Sequence, residues 1–397
     1  MILPMHNPLQ DYAWGSRDYI QRLTGRTDLL GSPIAEMWMG AHPKAVSTIT
    51  GRSGRIDLAA WITAHTDECL GCYADLNRGR LPFLMKVLAA DEPLSIQAHP
   101  SKEQAERGFA RENALGIPID APDRNYRDDN PKPELLCALT QFTALCGFRP
   151  HDQIRANLQA LGVDYLLSAF PQFALHLDEA NWKRVFRQIL EAGRELVCVA
   201  ESRFEAAARE PDPILAPAAR LCIDLARRYP GDPGCLAPLY LNLVTLRPFE
   251  ALYLDAGVLH AYISGAGIEL MANSDNVLRG GLTPKHIDIT ELCSILSYHG
   301  SDTAPISGTR LSAQERSYPV PAREFVLGMI EADASGSIYP NPHHSPMILL
   351  CLEGECGLED GDGRITLSRG ASAFVCASTA GITITGKARL AAASCPA

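Results

Sequence analysis

The apolar residues of this chain change their spacing twice along its 397 residues. Up to about residue 150 they come in short runs broken by Gly and Pro, with a few short helical stretches. From about 151 to 235 the spacing is helical. Trp182, Val185, Phe186, Ile189, Leu190, Leu196 and Val197 recur with charges between them, Leu215–Arg228 repeats the pattern, and Pro230-Gly231-Asp232-Pro233-Gly234 ends it. Strand-like runs return at Leu239 and continue to the end, as in Met347–Leu352 and Ile382–Thr385, with turns such as the one at 359–363 between them. A chain of this length needs two or three domains. The order β, α, β, β predicts a mainly β protein of antiparallel barrels or jelly rolls with a helical insertion. The expected divisions are 1–150 with 236–315, a helical 151–235, and a terminal barrel at 316–397.

Composition narrows the function. Hydrophobic residues are 46% and charged residues 21%, as in an ordinary folded chain. Thirty-six basic against 46 acidic residues leave a charge of −10, which argues against a broad nucleic-acid-binding face. No uncharged apolar run reaches the ~18 residues of a membrane span. Pro4, His6, Asn7, Pro8, Gln10 and Asp11 break any signal-peptide core. The 12 scattered cysteines read as small core residues in a reducing cytoplasm, and Cys69-x-x-Cys72 as a chance pair without zinc-ribbon spacing. Nucleotide-loop, zincin and nucleophile-elbow motifs are absent. The chain writes its positive charge mostly as Arg. Of its seven lysines, Lys44, Lys86, Lys132 and Lys285 fall in the segments that matter below.

Three short segments place metal-ligating types on strand faces. In Pro93-Leu94-Ser95-Ile96-Gln97-Ala98-His99-Pro100, alternation sends Leu94, Ile96 and Ala98 to the core and Ser95, Gln97 and His99 to the other face. By itself this also describes a half-exposed edge strand. In Asn130-Pro131-Lys132-Pro133-Glu134-Leu135-Leu136-Cys137, Lys132 and Glu134 share a face, and a carboxylate entering a buried strand needs a partner, which a metal ion would supply. In Asp255-Ala256-Gly257-Val258-Leu259-His260, a turn returns the chain into a strand with Val258, His260 and Tyr262 on one face. Metal-binding cupin barrels present a ligand in this way, in a P-x-G-x-x-H pattern where Asp255 here replaces the Pro. Two His, one Glu and one amide oxygen form an N2O2 set for a divalent metal. In a fourth segment, a polar Asn273-Ser274-Asp275-Asn276 turn leads to Arg279, Gly280, Gly281 and Lys285. There the glycines admit a ligand close to the backbone and the cations suit a phosphate.

Together with Tyr12-Ala13-Trp14-Gly15-Ser16, Ala35–Pro43 and Leu81–Leu88, these segments make the chain resemble the type I phosphomannose isomerases, zinc enzymes of the cupin superfamily. The likeness spans roughly residues 1–300. It implies one Zn2+ per chain on Gln97, His99, Glu134 and His260, and an active-site arginine at Arg279. It implies cupin-type jelly-roll barrels, the first binding metal and the terminal one degenerate, with His343 and His344 unable to share one ion. Bacterial relatives often have His before the Lys of the K-P-E motif, where this chain has Pro131.

The resemblance implies reversible isomerisation of mannose 6-phosphate and fructose 6-phosphate by proton transfer through an enediol. Such an enzyme needs a base, an oxyanion stabiliser and a phosphate anchor. Expected roles are Arg279 on the enediolate, Lys132 among the catalytic groups, Glu269 or Asp275 as base, and Ser95, Lys86, Lys285 and Trp14 as substrate contacts. The expected partner is a small phosphosugar, with no nucleic acid or membrane, and a cytoplasmic monomer is expected to serve GDP-mannose biosynthesis. The alternatives are a cupin acting on another sugar phosphate, an iron oxygenase (less at ease with Gln97), and a non-catalytic phosphosugar binder.

Overall fold

The computed structural model describes residues 1–51, 54–162, 178–341, 343–361 and 363–396. Two large antiparallel sheets dominate it. In the first, the long strand His260–Ala272 is the axis. It pairs with Phe83–Ala90, Ile96–Ala98, Glu134–Ala138 and Phe142–Phe148, bringing otherwise distant segments side by side. Leu278–Gly281 lies against Ile96–Ala98, and Glu36–Met39 against Phe83–Ala90. The axis strand shifts register between Tyr262 and Ser264 as it passes from one set of partners to the next, and Gly265 beside that shift takes φ +118 against the Gln141 and Phe142 backbone.

The second sheet is built on the hairpin of Met347–Asp360 with Gly381–Ser394. It also takes in strands from the other end of the chain. Ile2–His6 lies between Ser372–Val375 and Thr48–Gly51, and Gly54–Asp57 forms the edge. The expected division at residue 316 is therefore not a boundary between sheets, because both draw on the first 57 residues. Strand alternation explains the sharing. Phe83, Met85, Val87 and Ala89 join Leu135, Cys137, Ile268 and Leu270 in one apolar cluster with Leu3, Leu327, Leu350 and Phe374 of the second sheet. Leu84, Lys86 and Leu88 point the other way.

The helical stretch holds Glu179–Ala207, interrupted at Gly193, and Leu215–Arg228, as their spacing predicts. Part of the expected helical domain, 163–177, lies outside the described residues. Trp182 and Phe186 pack edge-on against Phe148, and both approach Tyr240. Their cluster runs on to Ile96, Ala98, Leu259 and Leu278. The helices thus brace the back of the strands that carry Gln97 and Arg279. Among the described residues no helix is long and apolar enough to cross a membrane.

Cys69 and Cys72 are not partners. Cys72 is exposed, whereas Cys69 is buried with its Sγ 3.6 Å from the Sγ of Cys376. All four tryptophans, at 14, 38, 61 and 182, precede residue 316, so their fluorescence reports the first part of the chain. Phe374→Ala should cost about 3–5 kcal/mol. Because the core is shared, urea unfolding followed by tryptophan fluorescence should shift with it, whereas an independent terminal barrel would leave that transition in place.

Candidate metal centre and active-site cavity

Register sets the site. His260 lies opposite Gln97, and Arg279 lies opposite Gln97 on its other side. Met271 pairs with Glu134 and Glu269 with Lys86. The turn before His260 is tied to the residue that follows strand Ile96–Ala98, since the Gly257 amide donates to the His99 carbonyl at 2.8 Å. Gly257 adopts φ +74 with backbone atoms of Ile295 and Ser297 under 3 Å from where a Cβ would stand, so no larger residue fits the turn.

His99, Glu134 and His260 converge. Each is about 1% exposed, and their ligand atoms lie within 4.8 Å of one another. His99 Nδ1 is 2.7 Å from the Asn276 carbonyl, and His260 Nδ1 is 2.9 Å from the Val258 carbonyl. A carbonyl oxygen can only accept, so each Nδ1 carries hydrogen and each Nε2 of a neutral ring presents a lone pair. Those two lone pairs face Glu134, at 3.3 Å from Oε1 and 3.5 Å from Oε2. His99 Nε2, His260 Nε2 and Glu134 Oε2 are buried with no hydrogen-bond partner among the described residues. Three acceptors aimed at one point without a proton between them fit a cation, and two imidazoles with a carboxylate suit zinc.

Electrostatics keeps the ligands in binding form. Burial holds His99 neutral, its pKa lowered to about 4, and nearby Lys132 adds to that. Burial would raise the Glu134 carboxyl, but the Lys132 ammonium overcomes it and holds the carboxyl well below the usual range. Lys132 Nζ lies 2.8 Å from Glu134 Oε1.

Above this centre opens a cavity of about 850 Å³. Trp14, Lys86, Ser95, Gln97, Lys132, Glu134, Glu269, Arg279 and Lys285 all line it. The strand beside it is shorter than the alternating pattern predicts, covering Ile96–Ala98, and Leu94 packs against the apolar cluster of Leu88, Ala90 and Tyr262 while also lining the cavity. On the floor, Lys86 Nζ bridges Glu269 at 2.9 Å and Glu36 at 3.3 Å. Trp38 Nε1 donates to the other Glu36 oxygen at 2.8 Å. Burial opposes the charge on Lys86, but the two carboxylates outweigh it and push its pKa up. Burial raises the Glu269 carboxyl even with Lys86 beside it.

Two further cations, Arg279 and Lys285, line the same cavity. Burial and then Arg127 lower the pKa of Arg279, while burial and then Arg279, Arg127 and Lys44 lower that of Lys285. Among the described residues neither cation has a carboxylate partner.

Asp275 is placed differently from the other expected site residues. It accepts from Lys44 Nζ at 2.8 Å and lies 3.6 Å from His42 Nε2. It lines a neighbouring cavity of about 400 Å³ with Lys44, Arg80 and Arg127 rather than the cavity over the metal ligands. Lys44, two positions past His42 in the loop after Glu36–Met39, reaches this carboxylate by direct contact, a pairing that the local sequence around Asp275 does not contain. Sequence reasoning also gave Glu36, Trp38 and Tyr262 no role. The signal for Glu36 was a lone carboxylate in the otherwise apolar Ala35-Glu36-Met37-Trp38-Met39 strand.

Known proteins match throughout. A model of the phosphomannose isomerase type I catalytic domain matches residues 2–151, and one of the mannose-6-phosphate isomerase cupin domain matches 332–395. Mannose-6-phosphate isomerase of Escherichia coli K12 is 38% identical, with 97% of each chain covered. The Homo sapiens enzyme is 36% identical over 89% of this chain and 88% of its own. A crystal structure of mannose 6-phosphate isomerase from Salmonella typhimurium, bound to fructose 6-phosphate and zinc, superposes with a TM-score of 0.90 at 37% identity over 100% of both chains.

Lys86 should prove structural as well as chemical. Lys86→Met leaves Glu36 and Glu269 buried without their cation, a loss of about 3–5 kcal/mol in urea unfolding at neutral pH. The Glu269 carboxyl, already raised, should rise further. A group whose pKa is raised by folding contributes stability below its unfolded pKa and loses it as pH rises through the folded one. The deficit should therefore be smaller at about pH 5 than at about pH 7.5, and a deficit independent of pH would show that Glu269 does not take up the proton.

Proposed function

The chain belongs to the type I phosphomannose isomerase family, and on that premise we propose how its cavity divides the work. It is a mannose-6-phosphate isomerase with zinc as cofactor, interconverting D-mannose 6-phosphate and D-fructose 6-phosphate. The observation that carries the assignment of the centre is the set of three orphaned, buried acceptor atoms on His99, Glu134 and His260. These three and Gln97, which faces the same cavity opposite His260, hold one zinc ion. Bound there, zinc supplies a Lewis acid for the sugar oxygens.

The remaining steps fall to side chains. Lys285 anchors the phosphate, supported by its closeness to three other cations, Arg279, Arg127 and Lys44, and by its having no carboxylate partner among the described residues, a repulsion that a dianion relieves. Arg279, level with Gln97, stabilises negative charge as the enediolate develops. Ser95 and Trp14 border the sugar and limit its poses. Lys132 keeps Glu134 ionised. Glu269 moves the proton between C2 and C1, because it faces the cavity and its raised pKa suits a base that must also give the proton back. Lys86, held protonated beside it, orients that carboxylate. Asp275 is the weaker choice while Lys44 occupies it.

All of these residues come from one chain, so a monomer suffices. We place the enzyme in the reducing cytoplasm, since its cysteines are free thiols and only Cys72 and Cys198 are exposed. Run toward the aldose, it would supply GDP-mannose biosynthesis.

His260→Ala should lose zinc and activity together, measured by elemental analysis and a coupled assay. His343→Ala and His344→Ala should keep both, and a metallated, active His260→Ala protein would refute the ligand set. For the proton, turnover in D2O should place deuterium on the transferred position. Glu269→Gln should abolish both turnover and solvent exchange while retaining zinc, with Asp275→Asn keeping measurable exchange. The reverse pattern would make Asp275 the base, and complete retention of substrate hydrogen would point to hydride transfer.

A further inference from the structure

The His99 imidazole is oriented by a carbonyl, and that carbonyl belongs to a residue whose side chain ties two loops together. Asn276 is fully buried. Its Oδ1 accepts from the backbone amides of Arg127 at 2.7 Å and Asp128 at 3.2 Å. Its Nδ2 donates to the carbonyls of Asp128 at 2.8 Å and Asn130 at 2.9 Å. One side-chain amide thus satisfies four backbone groups of a single loop, and only an amide can both accept and donate in this way. Asp128 returns the contact. Its carboxylate accepts from Ser274 Oγ at 2.8 Å and from the Asp275 amide at 2.7 Å.

This clasp sits where regular structure is missing. Residues 115–133 form neither helix nor strand, and neither do 273–277. No ladder of backbone hydrogen bonds holds these loops in register, yet each leads directly into the site. Asn130 is two residues before Lys132 and four before Glu134. Asn276 is three residues before Arg279, and its own carbonyl accepts from His99 Nδ1 at 2.7 Å. A small rotation of this loop would swing that carbonyl away from the imidazole and free the ring to change tautomer, removing the lone pair from the point where Glu134 and His260 converge.

We propose that Asn276 is a positioning residue for the metal centre: through its clasp with residues 127–130 it fixes the His99 tautomer and sets the spacing of His99 against Glu134. It acts through His99 and does not itself touch metal or substrate. The inference rests on the metal centre assigned above.

Two readouts other than activity test it. The first is the zinc dissociation constant, by competition with a chromophoric chelator, on protein shown to be folded by near-ultraviolet circular dichroism. Asn276→Ala should weaken zinc by about 10- to 100-fold, the usual consequence of losing an outer partner of a ligand. Asp128→Asn, which keeps shape but exchanges one acceptor for a donor, opposite either the Asp275 amide or Ser274, should weaken it in the same direction by a smaller factor. The second readout is the 15N shifts of the His99 ring in metal-free protein. Wild type should show hydrogen on Nδ1, and the variants a mixture of tautomers. A role confined to folding stability would lower the unfolding midpoint and leave both readouts unchanged in the folded protein. If Asn276→Ala does not fold, Asp128→Asn and Ser274→Ala decide. Folded variants that bind zinc within twofold of wild type, with the His99 tautomer intact, would overturn the proposal. A wild-type protein that takes up no zinc would instead refute the metal centre itself.

Discussion

Glu134 is a carboxylate removed almost completely from water, and a charge in that position must be compensated or neutralised. Lys132 compensates one oxygen directly, leaving the other facing an imidazole lone pair. Much of the surrounding structure keeps this arrangement from collapsing into ordinary hydrogen bonds. Two backbone carbonyls hold the imidazole hydrogens on Nδ1, and burial keeps His99 from taking a second proton. If either ring turned its N–H toward Glu134, the three acceptors would satisfy one another and lose their pull on a cation.

The same economy of charge organises the cavity. Its floor carries Lys86 between Glu36 and Glu269, a buried triad in which each carboxylate depends on one ammonium. Its lining also carries Arg279 and Lys285, whose charged neighbours are other cations. The same cavity thus offers a buried carboxylate held beside an ammonium and two cations without a carboxylate partner among the described residues.

Rigidity comes from behind. The strands that bear the ligands show one face to the cavity and bury the other against the second sheet or the helices. Ile96 and Ala98 alternate with Gln97, while Leu135 and Cys137 alternate with Glu134. A side chain at the site cannot shift along its strand without dragging its apolar neighbours out of a packed core. Where strands give way to loops at 115–133 and 273–277, buried polar contacts replace that packing.

Much of this was legible in the residues themselves. Two-residue alternation put Ser95, Gln97 and His99 on one face, the Gly257 turn announced His260, and helical spacing marked Glu179–Ala207 and Leu215–Arg228. These signals are local, because side-chain direction follows from the strand or helix period. What they leave open is which elements become neighbours. That Ile2–His6 joins a sheet with residues near 372, or that Cys69 meets Cys376 and not Cys72, depends on pairings across more than 300 residues. The two carboxylates offered as a base show the same division. Glu269 and Asp275 are equivalent by type and near in sequence, but strand pairing sets Glu269 beside Lys86 in the cavity, and folding brings Lys44 onto Asp275. Sequence by itself determined which chemistry the chain could offer, since donors, acceptors and their spacing are properties of short segments. Only the tertiary structure decided which of those groups face one another across the cavity, since a charge's state depends on its burial and on partners brought from elsewhere in the chain.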